Sequence, residues 1–129
     1  MKNIAIILAG GFGKRMGCDI PKQYLKVDGR PVICHCLERF FRSGVIDAFV
    51  LSMGEPWKAF VAPYVSRLGV PVSYSEPGET RQRTIYNALV HLRESGAEDD
   101  DIVIIHDAVR PLVSEALIQS CAEACRDYD

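Results

Sequence analysis

Four short apolar segments recur along the chain, and each is followed by a stretch in which apolar residues have helical spacing. The apolar segments cover residues 4–8, 45–52, 70–74 and 101–105. Strands that are buried on both faces appear in a sequence as nearly continuous apolar runs, which is typical of parallel sheets covered by helices. The repeated strand–helix unit therefore predicts an α/β fold, with a mainly parallel sheet, helices on both faces and right-handed crossovers.

The segments between the strands carry the signals of helix beginnings and ends. Pro31 suits a first helical turn, Gly96 suits the position after a helix end, and Ser114 is a good N-cap. Pro63 lies inside the second helical segment and predicts a break or two short pieces there. Helices are predicted over residues 31–41, 56–68, 80–94 and 115–125.

Composition and charge limit the class of protein. The 129 residues suit one compact domain, and 48% hydrophobic residues can supply its core. A formal net charge of -2 provides no basic field of the kind that gathers nucleic acid. The first apolar run is five residues long, too short for the core of a signal peptide or for a membrane span. We therefore expect a cytoplasmic protein without a nucleic-acid or membrane partner.

The cysteines raise the question of a zinc site. The chain has five of them, and an odd number without a signal peptide favours reduced thiols. Cys34 and Cys36 are two residues apart, so they point to different sides of a helix. Cys121 and Cys125 share one face, but small apolar residues surround them. For both pairs we expect buried core thiols rather than zinc ligands.

Three consecutive aspartates also resemble a metal cluster. Residues 99–101 are all aspartate, and they come directly before the fourth predicted strand. Ligands in open parallel sheets bind outside the carboxyl ends of the strands, and these aspartates lie at the opposite end. We expect them to form a solvated turn.

The same rule about carboxyl ends selects three loops, which follow Leu8, Tyr74 and Ile105. The first loop is rich in glycine but is not a P-loop, because Lys14 is followed by Arg15 instead of serine or threonine. It is not a dinucleotide fingerprint either, because a methionine occupies the third glycine position. Consecutive small residues let backbone N–H groups approach a polyanion closely, and nearby cations strengthen such a site.

The first loop and the segment after it carry a family resemblance. Leu-Ala-Gly-Gly-x-Gly-x-Arg-Met, followed by Pro-Lys-Gln-Tyr-Leu, resembles the 2-C-methyl-D-erythritol 4-phosphate cytidylyltransferases and the related ribitol phosphate cytidylyltransferases. These proteins belong to a wider group of nucleotidyltransferases with a Rossmann-like sheet. The resemblance implies that Arg15 and Lys22 are catalytic and contact the phosphates of CTP. The nucleotide-binding residues that it implies in this loop are Leu8, Ala9, Gly10, Gly11, Phe12 and Gly13.

The second loop resembles the segment with which this family reads cytosine and contacts the phosphates. The family pattern is Gly-Gly-x-x-Arg-x-x-Ser-Val-x-Asn-Gly-Leu, and Thr84 replaces its serine while keeping a hydroxyl group. Pro77 replaces the first glycine of this pattern, and in the first loop Gly10 replaces the more usual second alanine. The nucleotide-binding residues implied here are Gly78, Glu79, Arg81 and Thr84.

The third loop has the most specific pattern, His-Asp-Ala-x-Arg-Pro at residues 106–111. A carboxylate just past a buried strand, at the ligand end of a parallel sheet, is the usual place for a magnesium ligand, so we expect Asp107 to bind Mg²⁺. The family resemblance implies that Ala108 lines the nucleotide pocket and that Arg110 binds the acceptor substrate. His106 is expected to pack or hydrogen-bond beneath the loop.

The implied function is the transfer of CMP from CTP to 2-C-methyl-D-erythritol 4-phosphate, in isoprenoid precursor synthesis, with release of pyrophosphate. Ribitol 5-phosphate or another polyol phosphate is an alternative acceptor, and a non-catalytic CTP-binding module is an alternative of another class. The family's members are longer than 129 residues. We therefore expect residues 1–129 to be the nucleotide-binding part of a domain that continues beyond them, in a protein that forms a homodimer when complete.

Overall fold

A computed structural model describes residues 1–10, 22–110 and 113–127 of the chain. Six strands and four α-helices form these ranges. In chain order the strands are β1 (Asn3–Leu8), β2 (Lys26–Val27), β3 (Arg30–Pro31), β4 (Ala48–Ser52), β5 (Val72–Ser75) and β6 (Ile102–Asp107). The helices are α1 (Val32–Arg42), α2 (Glu55–Val65), α3 (Arg81–Glu94) and α4 (Glu115–Asp127).

The main sheet is parallel and has the strand order β5-β4-β1-β6. The chain moves outward from β1 to β4 and β5, and then returns to the opposite side of β1 to form β6. The register places Leu8, at the end of β1, beside both Ser52 and Asp107. The strand order therefore reverses between β1 and β6, and such a reversal is where open α/β sheets bind ligands.

Helices cover both faces of the sheet, as the sequence predicts, because successive residues of a strand point to opposite sides. Ala5 and Ile7 join a core with side chains of α1, α2 and α4. Ile4 and Ile6 join a second core with Ala88 of α3 and its neighbours. All four predicted strand–helix units are present, with ends that differ by a few residues.

Two helices test the predicted signals of helix beginnings and breaks. Ser114 is the predicted N-cap of α4, since its Oγ accepts a hydrogen bond of 3.0 Å from the backbone N–H of Leu117. The predicted break at Pro63 is wrong, because α2 continues through this residue to Val65. A proline so close to the helix end removes only the one intrahelical hydrogen bond to the carbonyl of Ala59, so the helix tolerates it.

A short hairpin, β2–β3, was not predicted. Its turn consists of Asp28 and Gly29, with φ angles of 52° and 80°. Positive φ at both central residues is the geometry of a type I′ turn, and an Asp-Gly pair is its usual sequence. The signal was therefore present in the sequence. His35 of α1 fixes the hairpin, since its Nε2 lies 2.6 Å from the carbonyl oxygen of Val27.

The two cysteine pairs have different environments. Cys34 and Cys36 are buried in α1, as predicted, and burial raises the pKa of the Cys36 thiol to about 12. The prediction that Cys121 and Cys125 are buried is wrong, because both are exposed. The buried residues of helix α4 are Ile118 and Ala122, and the two thiols lie on its exposed face.

The aspartates at 99–101 form an exposed turn at the amino end of the sheet, as predicted. The carboxylate of Asp101 accepts hydrogen bonds of 2.8 and 2.9 Å from the backbone N–H groups of Lys2 and Glu98. These two bonds hold the pKa of the Asp101 carboxyl below its usual value. The acidic residues thus tie the start of β1 to the start of β6.

Tyr24 anchors the backbone at the end of β1. Its side chain is buried, its ring stacks on Trp57 with centroids 4.4 Å apart, and its hydroxyl donates a 2.8 Å hydrogen bond to the carbonyl of Ala9. Gln23 Nε2 donates a second hydrogen bond of 2.8 Å to the same carbonyl. The carbonyl of Ala9 is therefore held by two side chains from the segment that returns to the sheet.

Removal of the Tyr24 hydroxyl should loosen this anchor without a loss of volume. We expect Tyr24→Phe to lower the free energy of unfolding by about 1 kcal/mol, because one buried hydrogen bond is lost while Gln23 keeps the carbonyl paired. Urea denaturation measures the change. Tyr64→Phe, which removes a half-buried hydroxyl in α2, is the matched control and should have a smaller effect. Equal effects of the two substitutions would contradict the anchoring role.

Candidate functional site

The three loops selected from the sequence meet in one cleft of about 500 Å³ at the carboxyl ends of β1 and β6. The cleft opens to solvent, and its walls come from the end of β1, the 3-10 turn Lys22–Tyr24, the start of α3 and the end of β6. The lining residues are Leu8, Gly10, Gln23, Gly78, Glu79, Thr80, Arg81, Thr84, Asp107 and Val109.

Backbone hydrogen bonds fix the floor of the cleft. The N–H of Ala9 donates to the carbonyl of Ser52 at 2.8 Å, and the N–H of Ala108 donates to the carbonyl of Leu8 at 2.9 Å. These bonds extend the sheet ladder one step past the strand ends. Ala9 and Ala108 are both buried behind the cleft surface, so they position the loops on either side of it.

The second wall is the turn that leads into α3. Thr80 is the N-cap, since its Oγ accepts a 3.0 Å hydrogen bond from the N–H of Arg83. The hydroxyl of Thr84 donates to the carbonyl of Thr80 at 3.0 Å and accepts from the N–H of Gly78 at 2.9 Å. Thr84 is buried, so its hydroxyl binds the turn to the helix and holds the backbone of Gly78 at the cleft surface.

Only glycine fits at position 78. A Cβ atom there would lie 2.5 Å from Cγ of Arg83 and 3.0 Å from its backbone carbonyl carbon. The turn therefore folds tightly onto the first turn of α3. That first turn contains no acidic residue, so the partial positive charge of the helix N-terminus is directed at the cleft without compensation from a carboxylate of the same turn.

Asp107 lies between two arginines that come from different loops. Its Oδ1 is 3.5 Å from Nε of Arg81, and its Oδ2 is 3.7 Å from Nε of Arg110. Both distances exceed those of a charge-assisted hydrogen bond, which are about 2.7–2.9 Å. The carboxylate is one-third exposed and faces the cleft. The site thus offers cationic groups to an anion and an accessible carboxylate to a cation.

His106 has a structural role, as the sequence predicts. Its Nε2 lies 2.9 Å from the carbonyl oxygen of Arg110, so this nitrogen carries the proton and donates it across the loop. Its ring lies against Phe40 of α1, with centroids 5.3 Å apart. These contacts hold the backbone that carries Asp107 and Arg110.

Several predicted residues lie outside the described part of the chain. They are Gly11, Phe12, Gly13 and Arg15, and the side chain of Lys22. Their assignments remain predictions. Of the other predicted residues, the structure brings Leu8, Gly10, Gly78, Glu79, Arg81, Thr84 and Asp107 together around the cleft, while Ala9 and Ala108 lie behind it. Arg110 lies beside Asp107 and is exposed.

Three residues of the cleft, Gln23, Thr80 and Val109, had no predicted role, and the first two make hydrogen bonds that shape it. Gln23 lines it and binds the carbonyl of Ala9, and its place next to Lys22 in the Pro-Lys-Gln motif was the available signal. Thr80 is the N-cap of α3. It lies three residues before Arg83, whose backbone N–H it binds, and this is the ordinary spacing of an N-cap.

The sequence matches the family described as IspD, 2-C-methyl-D-erythritol 4-phosphate cytidylyltransferase, over residues 3–129. The chain belongs to this family. It is 40% identical over 126 residues to a ribitol-5-phosphate cytidylyltransferase of Lacticaseibacillus paracasei, with 96% of this chain and 53% of that protein covered. It is 37% identical over 126 residues to a 2-C-methyl-D-erythritol 4-phosphate cytidylyltransferase of Clostridium beijerinckii, with 96% and 54% covered. The chain thus spans about half the length of these relatives.

Solved structures confirm the predicted fold class. A 4-diphosphocytidyl-2C-methyl-D-erythritol synthase superposes with a TM-score of 0.75 at 28% identity, covering 95% of this chain and 54% of that one. The corresponding synthase of Anaerococcus prevotii has a TM-score of 0.76 at 24% identity, covering 97% and 51%, and shows the likeness of fold. The parallel sheet is therefore that of IspD-type nucleotidyltransferases.

The double role of the Thr84 hydroxyl can be tested by substitution. Thr84→Val should lower the free energy of unfolding by about 1–3 kcal/mol, because the N–H of Gly78 loses its acceptor inside the turn. Thr84→Ser keeps the hydroxyl and is the matched control, with a smaller expected loss. Urea denaturation of both variants measures the difference. A valine variant as stable as the serine variant would show that the turn does not depend on this hydroxyl.

Proposed function

We propose that the complete protein transfers CMP from CTP to the phosphate group of a small polyol and releases pyrophosphate. The observation that carries the proposal is the cleft between β1 and β6, where the start of α3, Arg81 and Asp107 converge in a member of a cytidylyltransferase family. A polyanionic nucleotide fits this combination of helix N-terminus, guanidinium group and accessible carboxylate.

The triphosphate is proposed to bind along the first loop and the start of α3. Arg81 supplies a planar group of N–H donors that suits phosphate oxygens, and the first turn of α3 adds the partial positive charge of the helix N-terminus. The backbone of Gly78 is proposed to lie against the base, held there by the tight turn that packs Gly78 against Arg83. From the sequence resemblance, Gly11, Phe12, Gly13, Arg15 and Lys22 complete the phosphate contacts.

The proposed reaction needs no general base. A phosphate monoester has its second pKa at about 6, so the attacking oxygen of the acceptor is already anionic at neutral pH. That oxygen forms a new bond to the α-phosphorus of CTP. The bond from the α-phosphorus to the bridging oxygen breaks, and pyrophosphate leaves with the electron pair. The task of the protein is to bring two polyanions together and to stabilise the charge on the α-phosphate.

A magnesium ion fits the donor set at Asp107. Mg²⁺ prefers oxygen ligands and is commonly bound by one or two carboxylates together with substrate phosphates and waters. Asp107 offers a partly exposed carboxylate at the cleft, and neither arginine beside it is within short hydrogen-bonding distance. When bound, the ion neutralises charge on the phosphates of CTP. Asp107 would hold it, with the remaining positions taken by phosphate oxygens and water.

The acceptor is proposed to approach from the side of Arg110, which is exposed next to Asp107. 2-C-methyl-D-erythritol 4-phosphate, which would place the protein in isoprenoid precursor synthesis, is one candidate, and ribitol 5-phosphate is the other. The two relatives named above bear one of these names each. No helix within the described ranges is long and apolar enough to cross a membrane. A cytoplasmic homodimer is our proposal for the complete protein.

A direct assay separates these acceptors. The complete protein should release pyrophosphate from CTP and Mg²⁺ with one of the two polyol phosphates at a kcat/KM at least about tenfold above that with the other, since buried polar groups discriminate strongly between hydroxyl patterns. CTP without acceptor is the blank. Calorimetry with CTP and with the other nucleoside triphosphates runs in parallel. CTP binding without turnover of either acceptor would favour a non-catalytic module instead.

Asp107→Asn is expected to lower Mg²⁺-dependent pyrophosphate release by about tenfold or more, because a bound metal ion contributes several kcal/mol to such a transition state. The melting temperature should stay close to that of the unchanged protein, since the carboxylate lies at the cleft surface and outside the apolar core. Asp100→Asn, an exposed aspartate at the other end of the sheet, is the control and should change neither quantity. A variant that aggregates or melts much earlier would show that Asp107 is structural.

A further inference from the structure

Gly10 in the first loop and Pro77 in the second loop are in direct contact beside the cleft. A Cβ atom on Gly10 would overlap Cβ of Pro77 and would lie 3.2 Å from its Cγ and 3.6 Å from its Cα. The proline ring therefore occupies the space that a side chain at position 10 would need. Gly10 and Gly78, the neighbour of Pro77, both line the cleft.

Gly10 cannot move away from this contact at low cost. The residue before Gly10 is Ala9, whose N–H is bound to the carbonyl of Ser52 and whose carbonyl accepts hydrogen bonds from Gln23 and Tyr24. All of these groups are buried. A displacement of Gly10 would thus stretch three hydrogen bonds in the core.

The second loop is also held on both sides of Pro77. Before it, the carbonyl of Ser75 accepts from Met53, and the carbonyl of Glu76 accepts from Asn87 Nδ2 at 3.1 Å. After it, the N–H of Gly78 donates to the buried hydroxyl of Thr84. Proline itself has a fixed φ angle, which leaves the segment little freedom to adjust.

We infer that Gly10 and Pro77 form a steric pair that positions the two loops of the cleft, so that the residue tolerated at either position depends on the residue at the other. The pair acts through the backbone of Gly78 and is a positioning element, not a group that reacts. Its role in nucleotide binding rests on the proposed function, whereas the contact itself does not.

The two single substitutions are expected to have unequal effects. Alanine at position 10 overlaps the ring of Pro77, and neither segment can give way, so Gly10→Ala should damage the site. Glycine at position 77 removes the ring and leaves space, so Pro77→Gly should have a milder effect, limited to the greater freedom of the unfolded chain. The methyl group that Gly10→Ala introduces fits once the ring is gone. The double variant should therefore recover most of what Gly10→Ala loses.

A double-mutant cycle in the complete protein tests the pair, with the dissociation constant of CTP from calorimetry and the urea midpoint as independent readouts. Gly10→Ala should raise the dissociation constant about tenfold or more and lower the midpoint, as overpacking does. Pro77→Gly alone should change the constant less than about threefold, and the double variant should return to within about threefold of the unchanged protein. Gly54→Ala is the control for CTP affinity, because Gly54 does not line the cleft and a Cβ there would make only ordinary contacts, at 3.8 and 3.9 Å.

The two readouts separate the possible failures. Additive effects on the urea midpoint would overturn the steric pair. A coupled midpoint with additive effects on CTP affinity would overturn its role in positioning the nucleotide site. If the unchanged protein does not bind CTP, the proposed function and the positioning role fail together, and the midpoint cycle still decides whether the contact exists.

Discussion

The parallel pairing of β1 with β4 and β6 is the constraint on which the rest of the molecule depends. This strand is buried between its two neighbours, and its register sets Leu8 level with Ser52 and Asp107. The ladder continues one residue further through the N–H groups of Ala9 and Ala108. Because the strand ends are fixed at one level, the loops that leave them are forced to share one cleft. The position of the site is therefore set by the topology before any side chain is considered.

Much of this architecture could be predicted from the sequence, because apolar runs and helix caps are local signals. The strand order could not, since the order depends on pairings between segments as far apart as Leu8 and Asp107. The missed hairpin had an Asp-Gly signal, but its strands are two residues long and show no apolar period. The wrong prediction for Cys121 and Cys125 has the same cause, since it also depends on long-range packing. Their spacing shows that they share one face of a helix, but not whether that face meets the sheet.

The candidate site shows the same division between local and long-range information. Motifs identified the loops, and the structure places the described motif residues in or directly behind the cleft, except Arg110, which is exposed beside Asp107. The position of Asp107 between Arg81 and Arg110 could not be predicted, because it depends on how far α3 lies from the end of β6. The two guanidinium groups and the one carboxylate carry a net charge of +1, so this arrangement leaves a positive excess at the carboxyl end of β6.

The contact between Gly10 and Pro77 restricts the order in which sequences of this kind can change. A protein with alanine at the first position and glycine at the second can reach the present pair by two single steps. One route passes through a protein with glycine at both positions, in which no side chains clash. The other passes through alanine facing proline, where the two side chains would occupy the same space. The contact therefore makes the residue tolerated at one of these two positions depend on the residue at the other, which is epistasis within the cleft.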